Sequence, residues 1–127
     1  MSERKRILVV DDEENLCLLY KDELESEGYE VRTVCDAATA IKMVDTDPPD
    51  LVVLDIRMPR MDGIEAMGRI LGRRNTLPVI LNSAFTSYKD DFRSWPADAY
   101  VVKSSDTREL KRVIRGVLAS QAAVVRV

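Results

Sequence analysis

Leu51-Val52-Val53-Leu54-Asp55 is an aliphatic run that ends on a carboxylate, and it has a counterpart in Ile7-Leu8-Val9-Val10-Asp11-Asp12. Neither run alternates apolar with polar residues. Both therefore read as strands covered on both faces, as in a parallel sheet. Three further runs follow the same reading: Tyr29 to Val34, Pro78 to Leu81 and Ala99 to Val102.

Segments of helical period separate these strands. Leu16, Leu19, Tyr20 and Leu24 share one helical face, and Ala37, Ala40, Ile41 and Val44 form a second before Pro48-Pro49 ends it. Leu110, Val113, Ile114, Val117 and Leu118 make the clearest stripe of the chain. Asp62 with Glu65, and Asp106 with Glu109, have the spacing of capping boxes, and Gly28 stands where a helix would close on a left-handed residue. A strand followed by a helix, five times over, predicts an α/β domain with a parallel sheet, right-handed crossovers and helices on both faces. Five strands suit the flavodoxin-like doubly wound order 2-1-3-4-5, although period alone does not set strand order.

The totals bound the possibilities. A chain of 127 residues, 46% hydrophobic, fits one soluble domain with a mostly aliphatic core. Its extent is read as 1–127, with the core at about 5–119 and a short tail at 120–127. With 19 basic and 22 acidic residues, the net charge of -3 leaves no general electrostatic footprint for nucleic acid. No apolar run reaches the ~20 residues of a membrane span, and the first residues lack a signal peptide's apolar stretch. A cytoplasmic protein is expected. Cys17 and Cys35 form no CxxC pair, and Cys17 among Leu16, Leu18 and Leu19 reads as a small buried side chain. The chain has no histidine, which excludes histidine metal sites and Ser-His or Cys-His catalysis.

In open parallel sheets ligands bind beyond the carboxyl ends of the strands. Asp11 and Asp12 follow the first run, Asp55 the third, Ser83 lies just beyond the fourth and Lys103 closes the fifth. Read singly, each has an ordinary explanation: Asp-Asp-Glu-Glu can cap a helix and complement its dipole, an aspartate at a strand end can turn the chain, and a lysine can be a solvated charge. Their joint arrival at one edge is what points to chemistry. With strands one and three adjacent, Asp11, Asp12 and Asp55 would share a pocket, and carboxylates that close must protonate or bind a cation. Oxygen ligands without His or Cys favour Mg²⁺. A carboxylate beside such an ion, with Lys and Ser donors opposite, suits phosphoryl transfer.

These motifs, ordered as Ile7 to Glu13, Leu51 to Pro59, Met61-Asp62-Gly63, Pro78-Val79-Ile80 with Ser83-Ala84, and Tyr100 to Lys103, closely resemble the receiver domain of two-component response regulators. The resemblance implies that Asp55 is the phosphoacceptor and takes its phosphoryl group from a sensor histidine kinase or phosphotransfer protein. It implies Asp12 as a direct Mg²⁺ ligand assisted by Asp11, and the backbone carbonyl of Arg57 as another. Ser83 and Lys103 would bind phosphoryl oxygens, and Ala84 would keep the pocket open. Tyr100 would swing inward as Ser83 moves, altering a face made by the fourth helix, fifth strand and fifth helix. That face is also where receivers commonly pair as homodimers. Such a domain phosphorylates and dephosphorylates itself, and is not a conventional enzyme.

The chain departs from the family pattern twice. Ser104 follows Lys103 where receivers usually have a cis proline, and a cis bond before a non-proline residue costs about 3–4 kcal/mol. The loop is thus trans and altered, or cis and strained. Second, Phe85, Tyr88, Phe92 and Trp95 replace the usual aliphatic stripe of the fourth helix and hold four of seven aromatics. They read as sheet packing or as a partner surface. Lys111, Arg112 and Arg115 flank the last stripe as a solvated face or a docking surface. The competing functions are a degenerate receiver acting as a phosphorylation-independent scaffold, and an enzyme acting on a separate small substrate, such as an acyl-phosphate-forming phosphatase.

Overall fold

The computed structural model describes residues 4–56, 62–84 and 96–126, with side chains to residue 121. Five strands, β1 (Arg6–Val10), β2 (Glu30–Val34), β3 (Leu51–Leu54), β4 (Val79–Ser83) and β5 (Ala99–Val102), form one sheet. Its order is β2-β1-β3-β4-β5, and every pairing is parallel. The flavodoxin-like order expected from the five βα units is the one observed.

Each strand's side-chain alternation feeds two separate cores. Leu8 and Val10 of β1, Val52 and Leu54 of β3, and Val79 and Leu81 of β4 face α2 (Ala37–Thr46) and α3 (Gly63–Arg73). Ile7, Val9, Leu51, Val53, Ile80 and Val101 face α1 (Glu14–Glu25) and α4 (Arg108–Arg126). That explains the unbroken apolar runs of β1 and β3, which have a core on each side. β2 is different. As an edge strand it exposes Glu30 and Arg32, so it is not buried on both faces as the run suggested.

Helix boundaries refine the sequence reading. Asp62 caps α3 by accepting from Ile64 N at 2.7 Å, but Glu65 pairs with Arg69 at 3.0 Å, an i,i+4 pair, instead of reaching back to complete a capping box. Asp106 similarly accepts from Arg108 N at 3.1 Å and from its guanidinium, which together hold the exposed carboxyl down at about 2. Gly28 has φ 96°, the left-handed conformation expected after α1. The stretch read as a tail is mostly helix, because α4 continues unbroken to Arg126 through Ala119, Ala122 and Ala123. The aromatic segment Phe85 to Trp95 lies outside the described residues.

Polar ties join α1 to α4 and to β4. Glu23 Oε1 accepts from Thr107 Oγ1 at 3.0 Å and from Lys111 Nζ at 2.7 Å, anchoring α1 to α4. Lys111 is therefore part of an interhelical pair. Asn82 Nδ2 donates to Tyr20 Oη at 3.0 Å inside the core, joining α1 to β4. This bond explains why β4 runs two residues past the apolar stretch that ended at Leu81: Asn82 is buried and paired, and stays in the ladder opposite Val101.

Candidate functional site

The sheet brings the strand-end residues to one edge through its own ladder. Val10 and Leu54 are register partners, so the residues that follow them, Asp11 and Asp55, emerge side by side. Backbone bonds continue the ladder past the strands. Asp55 N donates to Val10 O at 3.0 Å, Asp11 N to Val34 O at 3.1 Å and Lys103 N to Ser83 O at 2.8 Å. The four positions are thus fixed by main-chain geometry before any side chain acts.

Asp11 and Asp55 are buried, 2% and 4% exposed, and Ser83 is fully buried, while Asp12 is exposed at the mouth. One carboxylate oxygen from each of Asp11, Asp12 and Asp55 lies within 4.8 Å of the others. Lys103 Nζ sits among them, 2.8 Å from Asp11 Oδ2, 3.1 Å from Asp55 Oδ2 and 3.2 Å from Glu13 Oε1. Burial is the largest single influence on this ammonium and works against its charge. The hydrogen bond to Asp11 and the charges of Asp55 and Asp11 outweigh it and raise the Lys103 pKa above its ordinary value. Lys103 stays protonated in the resting pocket.

This donor set fits a hard divalent cation. The three clustered groups are all carboxylates, with no imidazole or thiolate among them, and the exposed Asp12 leaves the mouth open to hydrated ions. Cys17 offers no competing soft ligand: its Sγ donates to Asp11 O at 3.3 Å, and burial pushes the thiol up to about 11.

Of the strand-end side chains expected from the sequence, Asp11, Asp12, Asp55 and Lys103 converge here, while Ser83 is buried at the end of β4 with its carbonyl accepting from Lys103 N. Tyr100, the expected switch residue, is buried one position into β5 and packs with the core beside α2 and α3. Arg57, expected to offer its backbone carbonyl, lies outside the described residues. The Lys103–Ser104 peptide is trans, since no described bond is cis. Ser104 instead shapes the loop, its Oγ accepting from Asp106 N at 3.0 Å. The lack of proline therefore does not stop Lys103 from reaching Asp55.

Sequence reading missed two contributors. Glu13 reads from sequence as part of a helix start, yet it touches Lys103. Gly63, quoted only within Met61-Asp62-Gly63, packs α3 against the backbone behind Asp55, with Gly63 N donating to Ile56 O at 2.6 Å. Its lack of a side chain was the available signal.

Comparison with known proteins bears on what the pocket belongs to. TrrA of Thermotoga maritima, a response regulator solved in complex with Mg²⁺-BeF, is 45% identical, with TM-score 0.83 over 88% of this chain and 97% of that one. TrrA has also been solved in complex with the histidine kinase ThkA. A CheY-like receiver domain protein of Methanospirillum hungatei reaches TM-score 0.89 at 29% identity, covering 95% of this chain and 98% of that one. The alkaline phosphatase synthesis transcriptional regulatory protein PhoP of Bacillus subtilis is 35% identical over 116 residues, 90% of this chain but 48% of that protein. The chain spans about half the length of that relative. The response regulator receiver domain family matches residues 7–115, a stretch holding the pocket residues at the ends of β1, β3, β4 and β5, and the chain belongs to that family, the receiver domains of two-component response regulators.

Proposed function

We propose that Asp55 accepts a phosphoryl group from a phosphohistidine on a sensor histidine kinase or phosphotransfer protein, and that the resulting acyl phosphate is the signal. The observation that carries this is the buried ammonium of Lys103, held between the carboxylates of Asp11 and Asp55 at 2.8 and 3.1 Å. One ammonium does not neutralise the three clustered carboxylates of Asp11, Asp12 and Asp55, an excess of negative charge that suits a divalent cation and, with it, an incoming phosphoryl group.

An oxygen of Asp55 attacks phosphorus in line as the bond from phosphorus to the donor nitrogen breaks, leaving the donor histidine neutral after proton uptake. Lys103 then pairs with a phosphoryl oxygen, and Ser83 donates its hydroxyl to another. Asp11, Asp12 and Asp55, with the backbone carbonyl of Arg57, would hold Mg²⁺, which when bound neutralises charge on the phosphoryl oxygens. Hydrolysis of the acyl phosphate resets Asp55. Because the chain acts on itself and turns over no separate substrate, it is not a conventional enzyme.

Movement of Ser83 toward the phosphoryl group, followed by Tyr100, would carry the change to the face that includes β5 and α4. This face would contact an output partner or a second copy of the chain. The TrrA–ThkA complex supports a histidine kinase as upstream partner. No direct contact with nucleic acid is proposed for this domain. No helix among the described residues is long and apolar enough to cross a membrane.

Incubation with Mg²⁺ and acetyl phosphate, followed by intact mass measurement, tests the assignment. Wild type should gain one alkali-labile phosphoryl group and Asp55→Asn none. Equal gain in both would place the acceptor elsewhere. A wild type that gains nothing with either acetyl phosphate or a phosphohistidine donor would favour the scaffold reading.

A further inference from the structure

Glu13 is the N-cap residue of α1, a position where an acidic side chain ordinarily turns inward to accept a first-turn N–H. Here its side chain makes no cap hydrogen bond. Its own N–H donates to Asp11 Oδ1 at 2.9 Å, and its carboxylate turns across the pocket to Lys103 Nζ at 3.2 Å. An ammonium has three N–H directions. Those of Lys103 face three carboxylates, two of them buried and the third, on the Glu13 side chain, 59% exposed.

A phosphoryl oxygen that needs Lys103 must displace one of these partners. Asp11 and Asp55 are buried and lose most by giving up a counter-charge. Glu13 can return to water at little cost. Until it does, its negative charge stands at the rim through which an anionic donor enters. Resting on the reading of Asp55 as phosphoacceptor, we propose that Glu13 is a positioning residue that holds Lys103 before phosphorylation and yields it to the phosphoryl group, its charge setting how readily anionic phosphodonors engage.

The test compares wild type, Glu13→Gln and Glu14→Gln at saturating Mg²⁺, following phosphorylation by acetyl phosphate with intact mass. Glu14 is the neighbouring exposed carboxylate and makes no bond to Lys103. Glu13→Gln should lower the acetyl phosphate concentration giving half-maximal rate by about three- to tenfold at low ionic strength, the worth of one rim charge a few ångströms away. The gain should fade at about 0.5 M salt, as an exposed charge is screened. Equilibrium binding of beryllofluoride should tighten by a similar factor, with the thermal midpoint unchanged. A half-maximal concentration equal to wild type would overturn the proposal, as would a shift that survives high salt or an equal shift in Glu14→Gln. If wild type itself takes no phosphoryl group, the phosphoacceptor reading fails, and this inference with it.

Discussion

At the scale of single residues, the site depends on a side chain that is missing. A Cβ at Gly63 would fall inside the backbone of Asp55 and Ile56, the segment that aims the acceptor carboxylate. The backbone there cannot yield without moving Asp55. Gly63→Ala should therefore cost about 1–3 kcal/mol, the usual penalty for overpacking, and should also slow labelling of Asp55. Gly68→Ala, on the exposed face of the same helix with nothing within 4 Å, should instead stabilise by about 0.5–1 kcal/mol. Urea unfolding of the two variants checks this; equal effects would show that helix propensity, not the close approach, governs Gly63. At this scale the sequence was legible wherever position alone assigns a role. Asp11, Asp55 and Lys103 follow apolar runs, so the strand-end rule finds them. Glu13 was not legible, since only the folded chain shows an N-cap carboxylate reaching a lysine 90 positions away.

At the scale of elements, α1 is held in place by polar contacts that its apolar stripe does not reveal. Tyr20 belongs to that stripe and is buried as the stripe predicts, yet its hydroxyl accepts from the Asn82 amide of β4. The sequence hid this pair twice over: Tyr20 looked like core, and Asn82 lay just past the apolar run that ended at Leu81. Sixty-two positions separate the two residues. Burial raises the Tyr20 pKa, so the hydroxyl stays neutral. Tyr20→Phe should leave the amide without its partner and cost about 1–3 kcal/mol. Adding Asn82→Leu removes the orphaned group too and should recover much of that loss, so the double-variant cycle should show a coupling of about 0.5–3 kcal/mol. Additive losses would mean the bond contributes nothing beyond packing. Because Asn82 directly precedes Ser83, the single variant should also alter the lifetime of the phosphorylated form more than its rate of formation.

At the scale of the whole molecule, the repeat of strand and helix announced the architecture, because a chain with a core on each side of its sheet must write unbroken apolar runs. The strand order followed from the arrangement that five βα units suit, since period alone does not set it, and the edge position of β2 was visible only in hindsight as the alternation of Glu30, Val31 and Arg32. What the sheet achieves is the concentration of Asp11, Asp12 and Asp55 at one edge, with Lys103 supplying only one positive charge to offset them. Folding therefore assembles repulsion that the unfolded chain does not feel, and a divalent cation that binds the assembled pocket should stabilise the entire domain by linkage. At ten times its dissociation constant, Mg²⁺ should add about 1.4 kcal/mol. For a domain of this size that corresponds to a rise of about 4–8 °C in the thermal midpoint. Asp12→Ala removes the exposed carboxylate at the mouth without touching either buried partner of Lys103, so its fold should persist while the Mg²⁺-induced rise is lost. Chelation should return wild type to its metal-free midpoint and leave Asp12→Ala where it was. A rise of equal size in both proteins, measured by calorimetry at matched ionic strength, would mean that Mg²⁺ acts on the general acidic surface and not through this pocket.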